Sequence, residues 1–292
     1  MSLPIIMHVN YCEQGQTIPE MCQKAVGWGY DGIEFRRKLR EVEQTAEQYL
    51  DAVAKAAEDA GMKQVLFGGP GFNMMTDDPD KRKAEVKEGL EFYKLAAERF
   101  KLTVCNTSVG GLGKKDASAP SWRYDLTGSG AADERHYTWA ADGYKEIGAL
   151  ADSLGFKLAF ETHMGCLHDL PGPTAKLLDM IASPAVGANL DYGNMAYFPK
   201  PPTVAEAVEV LKGRTYMLHL KNIWRVSVGD HEAPIPCGLG DGVINHREFM
   251  LCLRDASFNG PICIEAPRRG DREWFAQEDI RYLKSVLHDV GW

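Results

Sequence analysis

The sequence predicts an α/β fold, a closed (β/α)8 barrel, on three observations. Short apolar runs alternate along the 292 residues with segments whose hydrophobic positions recur every three or four residues, which implies parallel strands covered by helices. The count is eight strands, each followed by a helix, and eight units favour a closed ring over an open sheet. No strand runs into Gly-x-Gly-x-x-Gly, so an open dinucleotide-binding sheet, the alternative, lacks its phosphate turn. The length suits one barrel domain spanning 1–292, and a hydrophobic content of 45% is enough for its core.

Pro4 to Val9 is the first strand and delivers His8 and Asn10 near its C-terminal end. Thr17 to Trp28 follows as a helix, with Ile18, Met21, Cys22, Ala25 and Val26 on one face. Asp31 to Phe35 is strand two, ending on Glu34 and Arg36, and Ala46 to Ala60 is a helix closed by Gly61. Lys63 to Phe67 is strand three, and its loop Gly68-Gly69-Pro70-Gly71-Phe72-Asn73 leads to a charged helix over Pro79 to Phe100. Strand four, Leu102 to Cys105, ends near Asn106, and an irregular stretch from Thr107 to Ala131 carries Trp122, Arg123 and Tyr124. Loops of that length are usually functional or mobile. After a helix over Ala132 to Leu154, strand five (Lys157 to Phe160) runs into Glu161, and a helix covers Pro173 to Ile181. Strand six, Val186 to Leu190, ends at Asp191; Val204 to Leu211 is helical; strand seven, Thr215 to Leu220, carries His219. A second long loop is expected from Asn222 to Asn245, then a helix over His246 to Ala256, strand eight over Pro261 to Ile264, and a closing helix over Arg272 to His288.

In such a barrel the C-terminal strand ends converge on one mouth. Glu161, Asp191, His219 and Glu265 stand at equivalent positions on four consecutive strands, and charged groups at the rim of apolar strands are costly unless something uses them. One divalent cation held by all four accounts for the set. Three carboxylates and an imidazole suit Mn²⁺ first, with Mg²⁺, Co²⁺ or Zn²⁺ as alternatives. His163, two residues after Glu161, and Lys221, two after His219, share their faces and are candidates for catalysis. His8, Glu34, Arg36, Asn106 and Asn194 are strand-end candidates for substrate contact, and Trp122 and Trp224 in the long loops are placed to wall a pocket for a sugar face. His168 and His231 are loop histidines with a weaker claim; His136, His246 and His288 lie in helices as surface or packing residues. Gly238-Leu239-Gly240-Asp241-Gly242 is first a turn and second a phosphate cradle made of its backbone N–H groups.

The net charge of −8 argues against nucleic acid as a partner. Seven cysteines without Cys-x-x-Cys fit reduced thiols in a cytoplasmic protein. Met1 to Met7 moves directly into a strand with no basic leader, and no apolar run approaches a membrane span.

Four short pieces, Glu-Thr-His-Met-Gly at 161–165, Asp-Tyr-Gly-Asn at 191–194, His-Leu-Lys-Asn at 219–222 and Ile-Glu-Ala at 264–266, resemble the xylose-isomerase-like barrels, a superfamily of sugar isomerases, epimerases and inosose dehydratases. The resemblance extends as a strand–helix count over nearly the whole chain. It implies that Glu161, Asp191, His219 and Glu265 are the metal ligands, that Glu161 and Glu265 also act as acid and base, and that Arg225 binds substrate. The implied activity is isomerisation or epimerisation of a ketose or keto-sugar through an enediolate, with a homo-oligomer allowed. Two departures from the ketose 3-epimerases, Leu167 in place of a glutamate and Asn194 in place of a histidine, bring the dehydratase or lyase alternative close, with His163 or Lys221 as donor to the leaving group. An apurinic-site endonuclease, which shares the barrel, ranks third because it needs a larger histidine set.

Overall fold

The computed structural model describes residues 3–38, 44–68, 71–266 and 268–292; Met1, Gly69 and Pro70, named above, lie outside them. Eight strands alternate with helices as expected: β1 (Ile5–His8), α1 (Ile18–Trp28), β2 (Gly32–Arg36), α2 (Ala46–Asp59), β3 (Gln64–Gly68), α3 (Pro79–Arg99), β4 (Val104–Thr107), α4 (Glu134–Leu154), β5 (Lys157–Glu161), α5 (Pro171–Ile181) and β6 (Val186–Asp191). A single helical turn, α6 (Tyr192–Met195), precedes α7 (Val204–Val210), then β7 (Thr215–Leu220). A hairpin of β8 (Asn222–Val228) and β9 (His231–Cys237) leads to α8 (His246–Asp255), β10 (Ile262–Ile264) and α9 (Arg272–Asp289). Local chemistry starts the helices: Thr17 with Glu20, Thr45 with Gln48 and Thr203 with Glu206 each form reciprocal capping pairs, and Pro79 opens α3 behind the Asp78 cap.

All the ring's ladders are parallel, in the order β3-β2-β1-β10-β7-β6-β5-β4. β3 and β4 face one another at the two ends of that order, so the barrel is nearly closed. The interior of the ring carries a layer of Ile6, Leu66, Val104, Ala159, Met217 and Cys263. Alternation along each strand then decides what lies one layer higher, two residues on: His8, Asn106, Glu161, His219 and Glu265. Glu34 joins them, since the register pairs it with His8 on one side and Leu66 on the other. Gly68 stands at the matching place on β3, where a Cβ would lie 2.0 Å from Glu34 Oε1. The larger core fills the space between ring and helices.

The expected loop over 222–245 is corrected. Its first two thirds are the antiparallel β8–β9 hairpin, turning at Gly229 with φ of 64°. Pro234 and Pro236 hide β9 from a sequence reading, because proline is tolerated only on an edge such as this one. The stretch 107–131 holds short 3-10 turns at Tyr124–Leu126 and Gly128–Gly130. Gly238 to Gly242 is a turn whose Leu239 N–H donates to Asp279 and whose Asp241 N–H donates to Gly238 O, so two cradle donors are already spent. All seven cysteines are free. Among the described residues no helix is long and apolar enough to cross a membrane.

Candidate metal centre and active site

One ligand atom from each of Glu161, Asp191, His219 and Glu265 lies within 4.8 Å of the others. The four strand ends expected to converge do so. Asp191 and His219 have fully buried side chains, whereas those of Glu161 and Glu265 retain 15% and 17% exposure. Two of the four therefore remain within reach of a molecule entering the mouth.

Glu34, expected among the substrate contacts, packs beneath His219. It has no exposure; Oε2 lies 2.7 Å from His219 Nε2, and Asn106 Nδ2 donates to Oε1 at 3.1 Å. A carboxylate on one ring nitrogen fixes the tautomer and leaves His219 Nδ1 facing Glu265 (3.1 Å) and Glu161 (3.6 Å). Asn106 bridges to Glu161 Oε2 at 3.1 Å, and Asn194 Nδ2 donates to Glu161 Oε1 at 2.8 Å and Asp191 Oδ2 at 3.0 Å. His8 accepts the Asn10 N–H at Nδ1, which leaves its proton on Nε2, 3.8 Å from Glu265 Oε1.

Lys221 enters this set more deeply than a face-sharing argument implies. Its ammonium is 2.8 Å from Asp191 Oδ2, 2.9 Å from Glu265 Oε2 and 3.7 Å from Glu161 Oε1. Gly193 makes the room, since a Cβ there would lie 2.1 Å from Lys221 Cγ. His163 Nδ1 is 2.8 Å from Met164 O. Burial would lower its imidazole, but Cys166 and the Glu161 charge outweigh that and raise it to about 9. Burial likewise works against the Glu161 and Glu265 carboxylates, yet His219 and Lys221 hold Glu161 well below the usual range, and Lys221 and His8 do the same for Glu265. Burial pushes Asp191 up to about 6 against the pull of Lys221.

The donor set fits a divalent cation. Three carboxylates, Glu161, Asp191 and Glu265, crowd around a point where the protein already places a positive charge, the Lys221 ammonium. Two buried oxygens beside the cluster, Asn10 Oδ1 and Asn106 Oδ1, have no partner among the described residues and are available to a ligand's hydroxyl groups.

The remaining candidates lie further out. Arg36 makes a two-pronged pair with Glu13 at 2.6 and 2.9 Å. Arg225 donates to Ala196 O and Phe198 O at 2.7 and 3.1 Å and pairs with Glu232 at 3.1 Å. Trp122 stacks on His231, with ring centroids 5.0 Å apart, and shares a cavity of about 220 Å³ with Arg225 and Tyr197. Trp224 lies at a different cavity, and His168 is structural: it is fully buried, with Nδ1 2.6 Å from Glu161 O and Nε2 accepting the Val109 N–H. Sequence reasoning missed Glu34 as the partner of His219 and Asn10 as a donor to Glu265 at 3.4 Å. The alternation rule applied one strand pair further would have found the first.

A xylose isomerase-like TIM barrel protein from Mycobacterium smegmatis, solved in complex with magnesium, superposes with a TM-score of 0.76 over 99% of this chain and 98% of its own, at 18% identity. D-Psicose 3-epimerase from Clostridium cellulolyticum H10, solved with D-tagatose, gives 0.75 over 98% and 99% at 15% identity. At such identities the likeness is one of fold. An inosose dehydratase from Clostridium perfringens is 28% identical over 46% of this chain and 48% of that enzyme, so the chain spans about half the length of the curated relatives it matches. Residues 22–286 match the family model described as Xylose isomerase-like TIM barrel, and with the barrel and its metal-competent mouth this chain belongs to that family.

Proposed function

We propose that the chain is a divalent-metal-dependent enzyme that removes a proton from the carbon beside the carbonyl of a ketose or keto-sugar, giving an enediolate that is reprotonated in an isomerisation or epimerisation. The observation that carries this is the gathering of Glu161, Asp191, His219 and Glu265 within 4.8 Å, with only the two glutamates partly exposed. When bound there, by those four side chains, a divalent cation supplies Lewis-acid stabilisation of negative charge on a substrate oxygen. Mn²⁺ is the first choice, on the oxygen-rich donor set.

The protein's own groups do the rest. Glu161 and Glu265 are the acid and base, being the ligands a substrate can touch. Asn194 and Asn106 orient Glu161 through the hydrogen bonds at 2.8 and 3.1 Å, and Asn10 orients Glu265. His8 lies at the Glu265 side of the mouth; Arg36, Trp122 and Arg225 are proposed to meet the substrate further out. A second reading, loss of a β-hydroxyl from the same enediolate, is favoured by Lys221 and His163, two charged donors beside Glu161, and by the similarity to inosose dehydratases. The substrate is a small carbohydrate, and seven free cysteines favour a reducing, cytoplasmic setting.

Incubation with ketoses and with an inosose in D₂O, with Mn²⁺ or after chelation, tests the reading. Proton exchange without loss of water indicates epimerisation, and appearance of an unsaturated product indicates dehydration. Glu161→Gln and Glu265→Gln should each lower turnover by roughly 10²- to 10⁴-fold, the usual worth of a positioned acid or base. Full exchange by the chelated protein, or near-normal rates in both variants, would refute it.

A further inference from the structure

A second cavity, of about 600 Å³, opens between the hairpin and the segment that follows β10. Its walls are Trp224, Ile235, Asp241, Arg268, Arg269 and Arg272. All of these follow the C-terminal ends of β7 or β10, so the cavity is on the same side of the barrel as the metal centre. Arg268 is three residues beyond Glu265, a span of about 11 Å at full extension. Arg272 Nη1 donates to Asn10 O at 2.9 Å, and Asn10 Nδ2 in turn donates to Glu265.

Three guanidinium groups in one cavity are conspicuous in a protein of net charge −8. Arg268 is accounted for: it pairs with Asp279 at 2.7 and 3.3 Å and lies over the Phe275 ring at 4.0 Å. Arg269 and Arg272 have no carboxylate partner among the described residues. Arg272 Nε is buried with no hydrogen-bond acceptor among the described residues, a costly state for a charged donor. Asp241, the one acidic group in the wall among the described residues, is exposed to solvent and spends its backbone carbonyl on Trp224 Nε1 at 2.6 Å. The planar fork of an arginine matches the geometry of a carboxylate or phosphate.

Resting on the reading of the metal centre as a keto-sugar site, we propose that Arg269 and Arg272 form a subsite for an oxyanion, a phosphate or carboxylate carried by the substrate at the end away from its reacting carbon. Trp224 then walls the intervening part of the molecule.

Calorimetric titration of the Mn²⁺-loaded protein with D-fructose, D-fructose 6-phosphate, D-fructuronate and inorganic phosphate tests this. One of the two anionic sugars should bind about 10- to 100-fold more tightly than D-fructose, as a charge-assisted hydrogen-bond pair implies, and which one does so separates phosphate from carboxylate. That ratio should collapse in Arg269→Ala, an exposed position where folding is not at stake, and in Arg272→Lys, which keeps the charge but loses the fork. Equal affinities for charged and neutral sugars, a ratio unchanged in Arg269→Ala, or no binding of any anion overturns the subsite. Anion-selective binding without proton exchange or elimination supports the subsite and overturns the catalytic reading instead.

Discussion

At the scale of single residues, Glu34 shows how a buried carboxylate acts through another group. It is fully buried, and its two oxygens are taken by His219 and Asn106. Burial works against its ionised form, yet the His219 charge outweighs that and holds its carboxyl below the usual range. By holding the proton on Nε2, Glu34 would leave Nδ1 as the atom that His219 offers to a cation bound in place of the second proton. Partners of this kind typically contribute 10- to 100-fold in metal affinity. Glu34→Gln should therefore weaken Mn²⁺ binding by about that factor while circular dichroism and the folded fraction stay unchanged. Titration with Mn²⁺ followed by electron paramagnetic resonance checks it, and wild-type affinity in the variant would remove Glu34 from the metal's support.

At the scale of elements, the centre depends on neighbouring strands leaving space for one another. Gly68 ends β3 beside Glu34 on β2, and a methyl group there would overlap Glu34 Oε1. Glu34 cannot swing away without surrendering His219, so the strain falls on the β2–β3 pairing. Gly68→Ala should cost about 1–3 kcal/mol, the usual price of overpacking, read from the urea midpoint, and should weaken metal binding in parallel. A variant as stable as the parent would show that the strands have slack. The elements themselves were largely legible. Parallel strands buried on both faces stand out as apolar runs, and capping residues such as Thr17 and Thr45 mark where helices begin. The β8–β9 hairpin was not legible, because Pro234 and Pro236 interrupt its second strand and its exposed residues include apolar Trp224, Val226 and Val228.

At the scale of the whole molecule, the site was legible to the extent that strand ends report it. Four charged residues at equivalent positions on consecutive strands can be found by counting, and the ring brings them together. What counting misses is depth: Glu34 and Lys221 share faces with the ligands, but only the packed barrel shows that one lies beneath His219 and the other reaches among the carboxylates. The same packing places His246, expected as a surface or packing residue of a helix, where it links the Gly238–Gly242 turn to α8. It is 1% exposed, with Nδ1 3.1 Å from Leu239 O and its ring against Tyr282. Burial holds its imidazole down to about 4. The unfolded chain, with an ordinary value of about 6.5, accepts a proton that the folded protein refuses. The stability that His246 contributes in its neutral form is therefore intact above about pH 6.5 and is lost as pH falls toward 4, by up to about 3 kcal/mol. Urea unfolding of the parent and of His246→Gln, compared at pH 7, 5.5 and 4, isolates this residue from the other titrating groups. The advantage of the parent over the variant should shrink by about that amount across the range, and an advantage independent of pH would mean that the imidazole takes up its proton without disturbing the turn it holds.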